Sequence, residues 1–190
     1  MATSGEAESE PAYVSDQHAL KMWSLLARFL HEGSGIVSLQ KSFDADVSRV
    51  VVFPSYAGQD PDAIKPHVWM SWRHELKAPL GDHSLIRNVA EVVERFPLHS
   101  AGALAAIDHE FGLTGVAARE WFASGEPGLV ALVLRVSRTN RSYKFYNLSE
   151  NEGTGPFVPL PYDVDFDDSE PVLSDEDFER RLARIRAALT

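Results

Sequence analysis

Apolar and polar positions along the chain fall into blocks that predict an order of elements. After Ser15, suited to an N-cap, Leu20, Trp23, Leu26, Ala27 and Leu30 recur at helical spacing, and Gly33 supplies a stop. This predicts a helix over 16–32. "GIVSLQK" (35–41) and "SRVVVFPSY" (48–56) read as two strands forming a hairpin around a turn at Asp44–Asp46. "HVWMSWRHEL" (67–76) is compatible with both periods, the strand slightly favoured. Helices are expected at 84–96, 101–111 and 115–123, the last two capped by Ser100 and Thr114. "GLVALVLRV" (128–136) is apolar throughout, as a central strand is, and the alternating "SYKFYNL" (142–148) is expected to pair with it. In the final helix Phe178, Leu182, Ile185 and Leu189 form one stripe, with Ser174 and Asp177 as a capping box.

The pattern predicts a single α+β domain with a small, mainly antiparallel or mixed sheet and helices packed on it. Its expected divisions are an acidic leader (1–14), the domain (15–160), an acidic Pro-containing linker (161–173) and a C-terminal helix (174–190) on that acidic tether.

Charge changes the picture only when it is divided. The net charge is −10, yet residues 1–16 and 163–179 hold 4 and 9 acids with no base, leaving 14 bases against 15 acids between them. Bulk repulsion therefore does not exclude an anionic ligand from the body. With no cysteine, disulfide frameworks, thiolate metal sites and cysteine nucleophiles drop out, and a cytoplasmic location is the expectation. No apolar run approaches the ~20 residues that span a bilayer, so no membrane is expected as a partner.

Two stretches carry candidate chemistry. "VVVFPSYAGQDPDAIKP" (50–66) takes a buried strand into a loop of unusual composition, and such loops often carry function. In "RVSRTNRSYKFY", Arg135, Arg138, Arg141 and Lys144 recur every third residue among Tyr143, Phe145 and Tyr146. Bases beside aromatics are the ingredients of single-strand nucleic-acid binding, if a hairpin tip gathers them.

Together with "HALKMW", "LHEGSGIVSLQK" and "GLVALVLRVSR", the first stretch resembles, in the same order, the bacterial family called domain of unknown function 1802. The resemblance covers roughly residues 18–160. It departs where "SFDADVS" stands in place of a glycine pair, and where "GTGPFVPL" replaces a cysteine-containing segment. It implies a fold-length unit and no reaction. The matching polar positions are Lys41, Tyr56, Gln59, Lys65 and Arg135, which would converge on a phosphate or carboxylate.

The leading expectation is a non-catalytic binding or accessory module for an anionic partner, nucleic acid or a phosphorylated ligand. It needs no cofactor. An alternative lies in Pro61-Asp62 followed by Glu75-Leu76-Lys77, similar to a PD…ExK nuclease signature. There Asp62 and Glu75 would hold a divalent metal and Lys77 would activate water. That chemistry requires Asp62 at a strand start and Glu75 on the strand beside it. A third reading is a protein-protein adaptor whose partner meets Trp69 and Trp72. HExxH, GxSxG, P-loop and dinucleotide signatures are absent.

Overall fold

Residues 18–23 carry alternating side chains into two different cores and so run as a strand, β1 (His18–Trp23), before the chain turns into α1 (Ser24–His31). The computed structural model describes residues 15–43, 46–75, 83–124, 128–146 and 155–190. The expected leader 1–14, most of the Asp44–Asp46 turn and Lys77 lie outside the described residues. After α1 come β2 (Val37–Gln40), β3 (Arg49–Ser55), a 3-10 turn (Pro61–Ala63), α2 (Pro66–Trp72), a second 3-10 turn (Arg73–Glu75) and β4 (His83–Leu98). The rest is α3 (Ala101–Ala106), a third 3-10 turn (Asp108–Glu110), α4 (Gly115–Ser124), β5 (Leu129–Tyr146), β6 (Phe157–Val158), β7 (Ser169–Pro171) and α5 (Asp175–Leu189).

The strands form one mixed sheet in the order β2-β5-β4-β3-β1-β6, with β7 added to β5, curled into a half-barrel. Among the described residues only β1 and β3 run parallel. The fold is α+β, as the sequence pattern predicts. On one face, Leu20, Val50, Val52, Leu132 and Leu134 pack under α1 and α2. On the other, Leu98, Leu104, Ile107, Ala131 and Phe178 form a core shared with α3, α4 and α5. Farther along that face Ala19, Val51, Phe53, Ile86 and Phe145 pack beneath Leu160 and Val164.

Several expected elements are corrected. The helix over 16–32 is β1 plus α1, and the Ser15 hydroxyl accepts from the Gln17 N–H at 3.0 Å ahead of a strand, not a helix. The strands over 35–41 and 48–56 exist but form no hairpin: β2 pairs with β5, and β3 lies between β1 and β4. Residues 66–72 are a helix, started by Pro66 in its first turn. The helix over 84–96 is the 16-residue strand β4. Instead of two paired strands, β5 is one 18-residue strand. The helix over 101–111 stops at Ala106 and gives way to a 3-10 turn.

The acidic stretch before α5 is packed down along β5. Leu160 and Val164 are buried, Gln17 bonds both the N–H and the C=O of Val164 at 2.8 Å, and β7 pairs with Ser137–Thr139. At α5 the expected cap is present, the Ser174 hydroxyl accepting from the Asp177 N–H at 3.2 Å. Phe178, Leu182 and Ile185 are buried. Among the described residues no helix is long and apolar enough to cross a membrane.

Candidate functional site: a basic cleft beside helix α1

The loop after β3 is held by its own polar residues. Paired β3–β4 positions end at Val51, so Pro54 breaks no β4 ladder, and its carbonyl accepts from the Ser84 hydroxyl at 2.9 Å. Gly58, at φ 63°, makes the turn in a conformation that side chains resist. Gln59 is then carried back onto α1, which begins at a Trp23 that offers no side-chain cap. The Gln59 Oε1 accepts from the Leu25 N–H at 3.2 Å and the Ser24 hydroxyl at 3.1 Å, capping the helix from outside it. Gln59→Ala is expected to cost about 1 kcal/mol, the usual worth of an N-cap, read as a lower denaturation midpoint at unchanged m.

Lys65 is a fastener as well. Its ammonium bonds the carbonyls of Asp108 and Phe111, pairs with the Asp108 carboxylate at 3.2 Å, and lies over the Phe111 ring. Lys65 N–H also donates to Gly112 C=O at 2.9 Å, and Thr114 N–H to Ala63 C=O at 2.8 Å. The loop thus clamps the start of α1 to the 108–114 segment.

The residues expected to converge on an anion are dispersed. Lys41 is exposed just past β2. Arg135 pairs with Asp175 and covers the Phe178 ring. Arg138 donates to the His31 carbonyl at 2.8 and 3.2 Å, and Arg141 to the Tyr143 hydroxyl at 2.9 Å. Lys144 is exposed farther along β5, where the Tyr162 hydroxyl bonds its carbonyl. No hairpin tip gathers these bases, because the strand that carries them does not turn.

Asp62 lies in a 3-10 turn and Glu75 ends another, so neither occupies the strand position that the PD…ExK signature requires, and Lys77 lies outside the described residues. No three described His, Asp or Glu residues are grouped to hold a metal ion. On α2, Trp69 and Trp72 pack against the core on the α1 face, each only partly buried.

Of the loop residues, Tyr56 does border a recess. Strand alternation sends Val52, Pro54 and Tyr56 to one side and Ser55 and Ala57 to the other. The first set lines a cleft of about 320 Å³, the second an apolar cavity of about 330 Å³. Helix α1 is the partition: Ser24, Ala27, Arg28 and His31, at i, i+3, i+4 and i+7, face the cleft, while Leu26, Phe29 and Leu30 face the cavity. From β4 the cleft takes Leu85, Arg87 and Asn88.

Among the described residues no carboxylate lines this cleft. Arg28 pairs with Glu32 on its own helix at 2.6 Å, an i,i+4 contact. Arg87 is exposed and, among the described residues, its side chain makes no ion pair or hydrogen bond. It stands between Ile86 and Asn88, where the β4–β5 register shifts, an irregularity of the kind that re-aims a side chain.

His31 and Asn88 form a fixed pair. The Asn88 Nδ2 donates to the Ser137 carbonyl at 3.3 Å, so its Oδ1 accepts, at 2.8 Å, from His31 Nδ1–H. Neutral His31 therefore carries its proton on Nδ1 and leaves a lone pair on Nε2. Burial pushes the imidazole below its ordinary value of 6.5, the Asn88 bond opposes that, and the nearby Arg28 and Arg138 charges add to it. With the folded pKa depressed, the unfolded chain binds a proton first. The stability tied to neutral His31 is complete above pH 6.5 and is lost as pH falls from there through the folded value.

Arg28, His31, Arg87 and Asn88 were outside the sequence expectation. Arg28 and His31 at i, i+3 were a readable signal of one polar helix face. The partner strand is not readable locally, because the apolar spacing over 84–96 imitates a helix.

A curled mixed sheet with helices on both faces, and a recess on either side of α1, defines the class: an α+β scaffold with two candidate ligand sites. The chain belongs to the family described as Domain of unknown function (DUF1802), which it matches over residues 19–184. The match runs past the resemblance at 18–160 and takes in the packed acidic stretch and most of α5, so these are parts of the family's unit. No curated protein matches the chain, and no solved structure does.

Proposed function

We propose that this protein is a non-catalytic binding module for a small phosphorylated ligand, held in the cleft between α1, β3 and β4. Arg87 carries the reading: among the described residues its guanidinium has no protein partner and no carboxylate lines the cleft beside it. An unoccupied guanidinium fork suits a phosphate, to which it donates two parallel hydrogen bonds. Arg28, Asn88 and Tyr56 border the same space. A volume of about 320 Å³ fits a small molecule and not a nucleic-acid strand. Dispersal of Arg135, Arg138, Arg141 and Lys144 weighs in the same direction, since no continuous basic track forms along β5.

Titration calorimetry with inorganic phosphate, glycerol 3-phosphate and AMP tests the proposal. At least one is expected to bind, more weakly as salt rises. Arg87→Ala is expected to weaken that binding about 10- to 100-fold, the worth of a charge-assisted contact. Its thermal midpoint should be unchanged, since the side chain is exposed. Binding of a single-stranded oligonucleotide with none of the three phosphates bound would overturn the reading.

A further inference from the structure

The half-barrel does not close. Among the described residues terminal strand β2 pairs on one side only, with β5, and the apolar cavity lies along its other side. Four consecutive β2 residues, Val37 to Gln40, line that cavity. One face of a strand supplies only alternate residues, so four in a row mean that β2 presents its edge. Across the cavity stands the end of β1, at Met22 and Trp23.

The ladder's phase identifies which backbone groups face the space. Leu134 N–H donates to Ile36 C=O at 2.8 Å, which makes residues 36 and 134 a hydrogen-bonded pair. Ser38/Leu132 and Gln40/Val130 follow as bonded pairs, while Val37 and Leu39 oppose Val133 and Ala131 as non-bonded ones. The N–H and C=O of Val37 and Leu39 therefore point away from β5. These residues are 3% and 5% exposed, and no described residue bonds those four groups. Buried backbone donors and acceptors are nearly always paired in native proteins.

We propose that the cavity receives an extended apolar peptide segment of a partner protein, which adds as a strand beside β2. Donors and acceptors at Val37 and Leu39 repeat with a two-residue strand period, about 6.8 Å, and an extended polyamide matches all four of them. A compact apolar molecule fills the volume and leaves the four unpaired. Side-chain selection falls to Trp23, Leu26, Phe29 and Trp121, with Trp23 and Trp121 edge to face at 5.6 Å. The segment therefore carries an aromatic or large aliphatic residue where it meets these rings. This site stands apart from the phosphate cleft, on the other side of α1.

The test uses the full chain and acetylated tetrapeptide amides built from Leu, Val, Phe and Trp. One that binds is then N-methylated at each residue in turn. The expected pattern has period two: methylation at one residue and at the next but one weakens binding about 10-fold or more, as loss of buried hydrogen bonds does, while the residue between tolerates it. Hydrogen exchange at the Val37 and Leu39 amides slows in the complex, and Arg87→Ala leaves the affinity unchanged. Uniform tolerance of N-methylation, unslowed exchange at those two amides, or no tetrapeptide bound at millimolar concentration would each overturn the proposal.

Discussion

Gly35→Ala is expected to lower the thermal midpoint by about 6–12 °C, a loss of about 3 kcal/mol for a chain of this size. A β-carbon at position 35 falls inside contact distance of the Glu110 carbonyl and the Phe29 ring. The Phe29 ring can give only toward the apolar cavity it lines, while the Glu110 carbonyl is backbone that must move with its segment. Phe29 is 3% exposed within the α1 core. Glu110 is 1% exposed, and its carboxylate faces Arg181 at 3.4 Å and Arg184 at 3.7 Å on α5. The added methyl pushes the Glu110 backbone, and with it the helix those arginines anchor. Calorimetry gives the value directly, and a shift under 2 °C would mean that the 108–111 segment yields more easily than its contacts imply.

Phe178→Ala is expected to cost about 3–5 kcal/mol, the range for deleting a buried aromatic ring. The ring is 2% exposed in the core that α5 shares with α3, and the Arg135 guanidinium lies 5.1 Å from its centre. Its loss leaves a void and removes the cover from an arginine that also pairs with Asp175. Leu189→Ala, at the partly buried end of the same stripe, should cost clearly less. Urea unfolding of both variants separates a helix integral to the core from one merely resting on it. Equal and small losses would show the latter.

Elements with local signals were legible in the sequence. Ser100 and Thr114 cap α3 and α4 as expected, accepting from Ala103 N–H at 3.1 Å and Ala117 N–H at 3.2 Å, and α5 combines a cap with an apolar stripe. Strand β4 was not legible, and its register irregularities explain why. Shifts between Ile86 and Asn88 and between Val92 and Glu94 switch the face to which its side chains point. Apolar residues then fall at 86, 89, 90, 92 and 93, a spacing that imitates a helix.

β1 misled for a related reason. Leu20, Met22 and Leu25 share one core although a strand gives way to a helix between them, so the joined pattern reads as one helix. The cleft was beyond local reading, since His31 and Asn88 meet across 57 residues and Arg87 depends on the β4 irregularity. The family-matched Gln59 and Lys65 were legible as unusual, but their chemistry is spent inside the fold.

The His31 imidazole reports on the phosphate cleft from inside it, and its titration by NMR is the most direct test. In the free protein the midpoint lies below the ordinary 6.5. A bound phosphate dianion favours the imidazolium, so a saturating concentration of whichever of the three phosphates binds should move the midpoint upward, and Arg87→Ala should reduce that movement at the same ligand concentration. A His31 midpoint that stays fixed while the phosphate binds and shifts resonances elsewhere would contradict the account.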